Sequence, residues 1–168
     1  MTMSFNTAGT AGGPQNKEQT AAAIRYLRQG LKAQAFLILN GINTDNDPAA
    51  KFAMGLCRLG AGELSAAIDC FERTVQMLKN LPPAQRPGAE NNETHIKLTV
   101  QQINDRTWLT PMDADLISLF PKAAEQTAML ALIHCYQLNG MPDMARKVAA
   151  ALTGPAFDEF RKKIMQPE

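Results

Sequence analysis

Residues 51–71 read KFAMGLCRLGAGELSAAIDCF. An apolar-periodic stretch runs up to Gly62, and a second starts directly after it with Ala67 early in its course. The spacing predicts helices over 48–59 and 63–78 with a glycine turn between them. The alanine lets the two helices approach closely. The same spacing occurs at Gly30 and Ala35 and again at Gly140 and Ala145. A helix–turn–helix repeated along the chain is the consequence.

Start and stop signals extend this reading in both directions. Helices are expected over 17–29 and 31–39, with Ala23, Tyr26 and Leu27 on one face of the first and Ala35, Ile38 and Leu39 inward on the second. Asn40-Gly41 stops the second helix, and Asp47-Pro48 restarts the chain as N-cap and first helical residue. Pro82, Pro83, Pro87 and Gly88 make 81–92 a loop. Ile96, Val100 and Ile103 share a face of a helix over 93–108. Thr110-Pro111-Met112-Asp113 predicts a Thr-capped start for a short helix carrying Leu116, Ile117, Leu119 and Phe120. Helices over 122–139 and from 142 to near 152 follow. A last helix places Phe157, Phe160 and Ile164 on one face. No run of β-branched residues alternates with period two, so the chain is expected to be all-α with about nine helices.

The 168 residues suffice for one domain with a real core. Residues 17–168 are expected to form it, behind a disordered tail over 1–16 of mostly Gly, Thr, Ala and Asn. A net charge of +1 provides no field that selects nucleic acid or an acidic membrane. No apolar run is long enough to span a bilayer. Three cysteines, Cys57, Cys70 and Cys135, form no C-x-x-C pair and read as reduced core thiols of a cytoplasmic protein.

Gly30 and Gly62 lie 32 residues apart, and Gly62 and Gly140 lie 78 apart, two such lengths plus 14 residues. Periods of this size mark helical-hairpin solenoids. Against the pattern W-x2-L-G-x2-Y…A-x3-F, the middle unit offers Lys51, Met54, Gly55, Arg58, Ala67 and Phe71. Gly55, Ala67 and Phe71 match outright and Met54 conservatively, while Lys51 and Arg58 replace the tryptophan and tyrosine. Leu132, Tyr136, Gly140 and Ala145 agree in the last unit, and Tyr26, Gly30 and Ala35 in the first. The chain therefore resembles the tetratricopeptide repeats over about 100 residues. The resemblance implies an antiparallel helix-hairpin array, an α–α superhelix, with a C-terminal capping helix. It also implies that Phe71, Leu39 and Tyr26 are core.

In such arrays the first helix of each pair lines a concave face. By analogy, Lys17, Thr20, Ile24, Leu27, Phe52, Leu56, Leu59, Leu130, His134 and Gln137 would line it here. The expected partner-binding groove is Ile24, Leu27, Phe52, Leu56, Leu59, Leu130 and His134. A mostly apolar groove suits an amphipathic helix or an extended apolar segment. It suits a peptide carboxylate poorly, because Thr20, Ile24, Phe52 and Leu56 stand where carboxylate-clamping relatives carry Lys, Asn and Arg. Three occupants fit: a partner helix, a second copy of the chain, or its own segment 113–120.

No catalytic constellation accompanies this groove. His95 stands near a helix start, and His134 and Cys135, as helix neighbours, point about 100° apart. There is no P-loop, no G-x-G-x-x-G, no H-E-x-x-H and no zinc spacing. Asn43, Asp45 and Asp47 alternate as calcium ligands do, but Pro48 stands at the glycine position and Met54 at the closing glutamate. Asn92-Glu93-Thr94 reads as helix capping rather than a glycosylation site. The expected function is therefore a protein-interaction adaptor or small chaperone, of a length similar to secretion chaperones of tetratricopeptide type. It is neither an enzyme nor a protein with a metal or cofactor. The alternative is a structural or assembly protein that self-associates, as a homodimer, through its apolar helical surface.

Overall fold

A computed structural model of the protein describes residues 13–81, 93–105 and 109–166. Among these residues the chain is helical, with no strand. The helices are α1 (Pro14–Arg28), α2 (Lys32–Asn40), α3 (Pro48–Gly60), α4 (Leu64–Lys79), α5 (Glu93–Asn104), α6 (Ala114–Leu119), α7 (Pro121–Leu138), α8 (Pro142–Ala150) and α9 (Asp158–Met165). No helix among them is long and apolar enough to cross a membrane.

Three turns are built alike. Gly30, Gly62 and Gly140 have φ of 78°, 78° and 67°. Behind each, the next residue's N–H reaches back to a carbonyl five positions earlier: Leu31 to Tyr26 at 2.9 Å, Glu63 to Arg58 at 2.9 Å, and Met141 to Tyr136 at 2.8 Å. The glycine N–H bonds the carbonyl three positions back in each case. This is the Schellman arrangement, which satisfies the last carbonyls of a helix and needs a left-handed residue. A Cβ added at any of the three would meet nothing within 4 Å. The backbone conformation, not crowding, therefore requires glycine here.

After each turn a small residue is buried at the start of the next helix: Ala35, Ala67 and Ala145. One helical turn further, Leu39, Phe71 and Ala149 are fully buried. The middle pair is the tightest. A Cβ on Gly55 would lie 2.6 Å from the Phe71 ring, so glycine is what admits that ring against α3. Phe71 also meets Phe52 with ring centroids 5.2 Å apart.

Each glycine turn joins helices that pack on each other: α1 on α2, α3 on α4 and α7 on α8. The pairs are joined by α2 and α1 against α3, and by an extensive contact of α4 with α7. There the Tyr136 hydroxyl donates to the Glu72 carboxylate. α5 lies on α7, and α9 closes the end against α8 with Phe160 and Ile164 inward. One hydrophobic cluster runs through all of these helices.

Several expectations are corrected. Residues 14–16 belong to α1, which Pro14 opens at its first position. Tyr26 is 37% exposed rather than core. The buried arc Thr20, Ala23, Ile24 and Leu27 spans roughly 100° of α1, and Tyr26 falls about 60° beyond its edge. Thr110 does not cap α6: Gln102 on α5 donates to its hydroxyl at 2.7 Å and accepts its N–H at 3.2 Å. The cap is Asp113, whose carboxylate receives the Leu116 N–H at 2.9 Å. Pro121 opens α7, and α8 ends at Ala150 with Leu152 buried in the turn beyond. The tail over 1–12, the loop residues 82–92, Trp108 and the His95 side chain lie outside the described residues.

Candidate functional site

The expected groove residues do not form a bare patch. Ile24, Leu27, Phe52, Leu56 and Leu130 are buried, and Leu59 and His134 are half-buried. The reason is packing: α4 and α2 cover α3, while α4, α5 and α8 cover α7. These side chains hold the helices to one another.

One part of that reading does open to solvent. Lys17, Thr20, Ala21 and Ile24 on α1 form one wall of a cleft of about 550 Å3. The loop before α3 supplies Asn43, Asn46 and Asp47, the start of α3 adds Pro48 and Ala49, and Leu81 adds an apolar contact beyond α4. The opposite wall is α6, with Asp113, Ala114, Ile117 and Ser118. Ile24 and Ile117 make apolar walls, while Asn16, Asn43 and Asn46 contribute amide groups.

Local chemistry fixes both walls. Asp47 caps α3 by accepting the Ala49 and Ala50 N–H groups at 3.0 and 3.1 Å. Its other oxygen accepts the Thr20 hydroxyl at 3.0 Å, which ties the loop to α1. Asn43 accepts the Asp45 N–H at 2.9 Å, and Asp45 pairs with Lys51 at 2.6 Å. The alternating acids thus shape the loop through protein groups. Among the described residues no three His, Cys, Asp or Glu side chains gather as a metal site.

α6 is tied to α1 by one ion pair, Arg28 to Asp113 at 2.7 Å. Asp113 therefore serves both as the cap of α6 and as its link to α1. Burial works to raise its pKa, but the Leu116 N–H and the Arg28 guanidinium hold the carboxyl below the usual carboxylate range. A second, smaller cleft of about 280 Å3 adjoins this pair, between Arg28, Pro111, Leu116 and Phe120.

The thiols are poor nucleophiles. Burial pushes Cys57 up to about 11, against a small opposing pull from Arg58 and Lys32, and Cys135 to about 12. Both stay protonated near neutral pH, whereas a reactive cysteine needs its thiolate. Cys70 is half-buried, and its thiol is also raised by burial.

Of the residues expected along the groove, Lys17, Thr20 and Ile24 line this cleft. Ala21, Asn46 and the pairing of Arg28 with Asp113 were not among the expectations. Asp113-Ala-Asp-Leu carries a cap signal of its own, but Thr110-Pro111 three residues earlier is the stronger pattern. Compared with known proteins, the chain matches no protein-family profile, no curated protein and no solved structure.

Proposed function

We propose that the protein is an interaction module, an adaptor or small chaperone, that receives an apolar helix or peptide segment in the cleft between α1 and α6. Three glycine-turned helix pairs in series support the resemblance to tetratricopeptide repeats, as an antiparallel array capped by α9. In that arrangement α1, α3 and α7 are the first helices of their pairs. The groove is moved from its expected place, because the α3 and α7 positions are filled by the protein's own packing. What remains open is the α1 end.

The observation that carries this reading is the cleft itself. About 550 Å3 with apolar walls and amide groups among its lining matches the anatomy of a binding site. Its size fits a few apolar side chains from one face of a segment, and the hydroxyl–carboxylate contact in its lining, Thr20 to Asp47, ties α1 to the cap of α3. We read the protein as a binder rather than an enzyme, and as working without metal or cofactor. The alternative, self-assembly, draws on Leu37, Leu119 and Leu138, which are exposed on three different helices. Singly exposed apolar residues are ordinary on a protein surface.

A panel of amphipathic helical peptides, titrated into labelled protein, tests the reading. Peptides with apolar residues at i and i+4 should bind and perturb the NMR signals of Ala21, Ile24 and Ile117. Ala21→Trp, which fills the cleft from an exposed position, should abolish that binding without changing helix content. Binding that survives Ala21→Trp, or a panel without a single binder, refutes it.

A further inference from the structure

We propose that α6 is an internal ligand of the cleft, and that the partner displacing it is an amphipathic helix with an acidic N-cap followed by apolar residues three and four positions on. This rests on the reading of the cleft as a binding site, and it names the chemistry and regulation of that site.

α6 presents that pattern itself. Asp113 is the cap, Leu116 and Ile117 follow at the third and fourth positions, and Ile117 is buried while lining the cleft. The Asp113 charge meets Arg28 of α1. α1 therefore meets the acid at one end of the helix, and its Ile24 lines the same cleft as Ile117 one turn along. A partner helix of the same pattern would find the same complement.

α6 is also a poor competitor. It has six residues, about 9 Å of helix, against fifteen residues and about 22 Å in α1. Phe120-Pro121 ends it and turns the chain into α7. It leaves the 550 Å3 cleft open between itself and α1. Its Leu119 is 58% exposed, and its ion pair to α1 is partly solvated. Exposed pairs of that kind contribute little. A longer, unbroken helix would bury what α6 leaves open, so the equilibrium favours exchange when such a helix is present.

The probe is a fluorescent peptide of residues 110–120, blocked at both ends and titrated into the full chain. Asp113→Asn in the protein keeps an N-cap residue but removes the charge, and far-UV circular dichroism checks that it stays folded. It should bind the peptide about two- to fivefold more tightly than wild type, the range set by an exposed ion pair. Arg28→Gln added to Asp113→Asn should erase that gain. Saturation of the wild type should speed hydrogen exchange at the amides of Leu116 and Phe120, while the α3 and α4 amides stay protected.

A peptide with lysine in place of the aspartate that binds equally well overturns the acidic-cap requirement. Peptide binding with α6 fully protected overturns displacement, yet leaves the cleft a binding site. If this peptide fails to bind but others of the panel bind and are blocked by Ala21→Trp, the inference alone falls. If Asp113→Asn loses its fold, Arg28→Gln alone must still speed α6 exchange, or the latch is overturned.

Discussion

The α3–α4 pair and the α5–α6 stretch use similar residues and reach different kinds of structure. Between α3 and α4, every local signal agrees with the packing. Asp47 caps, Gly62 turns, Gly55 admits Phe71, and Ala67 brings the helices together. Around α6, local signals compete. Two cap sequences stand three residues apart, and a contact from α5 takes Thr110 out of the contest. The first region is rigid architecture specified by near neighbours in sequence. The second is held by long-range polar contacts, and it borders the open cleft. Elements that move on binding are drawn from the less stable parts of a protein, which is what the proposed exchange of α6 requires.

The largest test of this contrast places a charge in each region. Leu56 is fully buried on α3. Leu56→Glu should remove cooperative thermal unfolding altogether, since burying an unpaired carboxylate costs a large part of a total stability of about 5–15 kcal/mol. Ile117→Glu in α6 should keep a cooperative transition, because α6 moves into solvent while the paired helices hold. A folded Leu56→Glu protein that loses only peptide binding would restore Leu56 as a groove residue and cancel the contrast.

A smaller effect separates two reasons for glycine inside the rigid region. Gly62 has φ of 78° and open space around its Cα, whereas at Gly55 the obstacle is the Phe71 ring. Gly62→Ala should cost about 1 kcal/mol, lowering the thermal midpoint by about 2–4 °C. Gly62→Asn should recover part of that loss, since asparagine tolerates the left-handed region. Gly55→Asn should be worse than Gly55→Ala, because the larger group meets the same ring. Equal responses at the two sites would mean that the turn conformation is not what selects Gly62.

Much of this was legible in the chain because its causes are local. A left-handed glycine followed five residues later by a buried alanine is a short-range pattern, and it located all three turns. Asp47-Pro48 likewise marked the start of α3. Tyr26 was misplaced because both its spacing from Ala23 and the family position suggested an inward face, whereas the buried arc that Thr20, Ala23, Ile24 and Leu27 define leaves it outside. Phe52, Leu56 and Leu130 are apolar whether they line a groove or fill a core, and composition does not distinguish the two. The cleft was least legible of all. Its walls come from 16–24, 43–49, 81 and 113–118, which meet only after α7 has packed on α4 and carried α6 back toward α1.

The smallest predicted effect concerns acid. Asp113 titrates below the usual carboxylate range in the folded protein, so the unfolded state takes up its proton first as the pH falls. Its contribution is complete above the unfolded value of about 3.9 and is lost as the pH drops through the depressed folded value. Protonation removes both the charge facing Arg28 and an acceptor quality that the α6 cap uses. Exchange at the Leu116 and Phe120 amides, corrected for intrinsic rates, should therefore accelerate as the pH is lowered from 5 to about 3. The Leu31, Glu63 and Met141 amides bond backbone carbonyls and should show no such local change. Asp113→Asn should flatten the pH response of α6 alone, because asparagine caps without titrating. If α6 keeps its acid response in that variant, another carboxylate governs it, and Asp113 is a cap rather than the acid-labile link between α6 and α1.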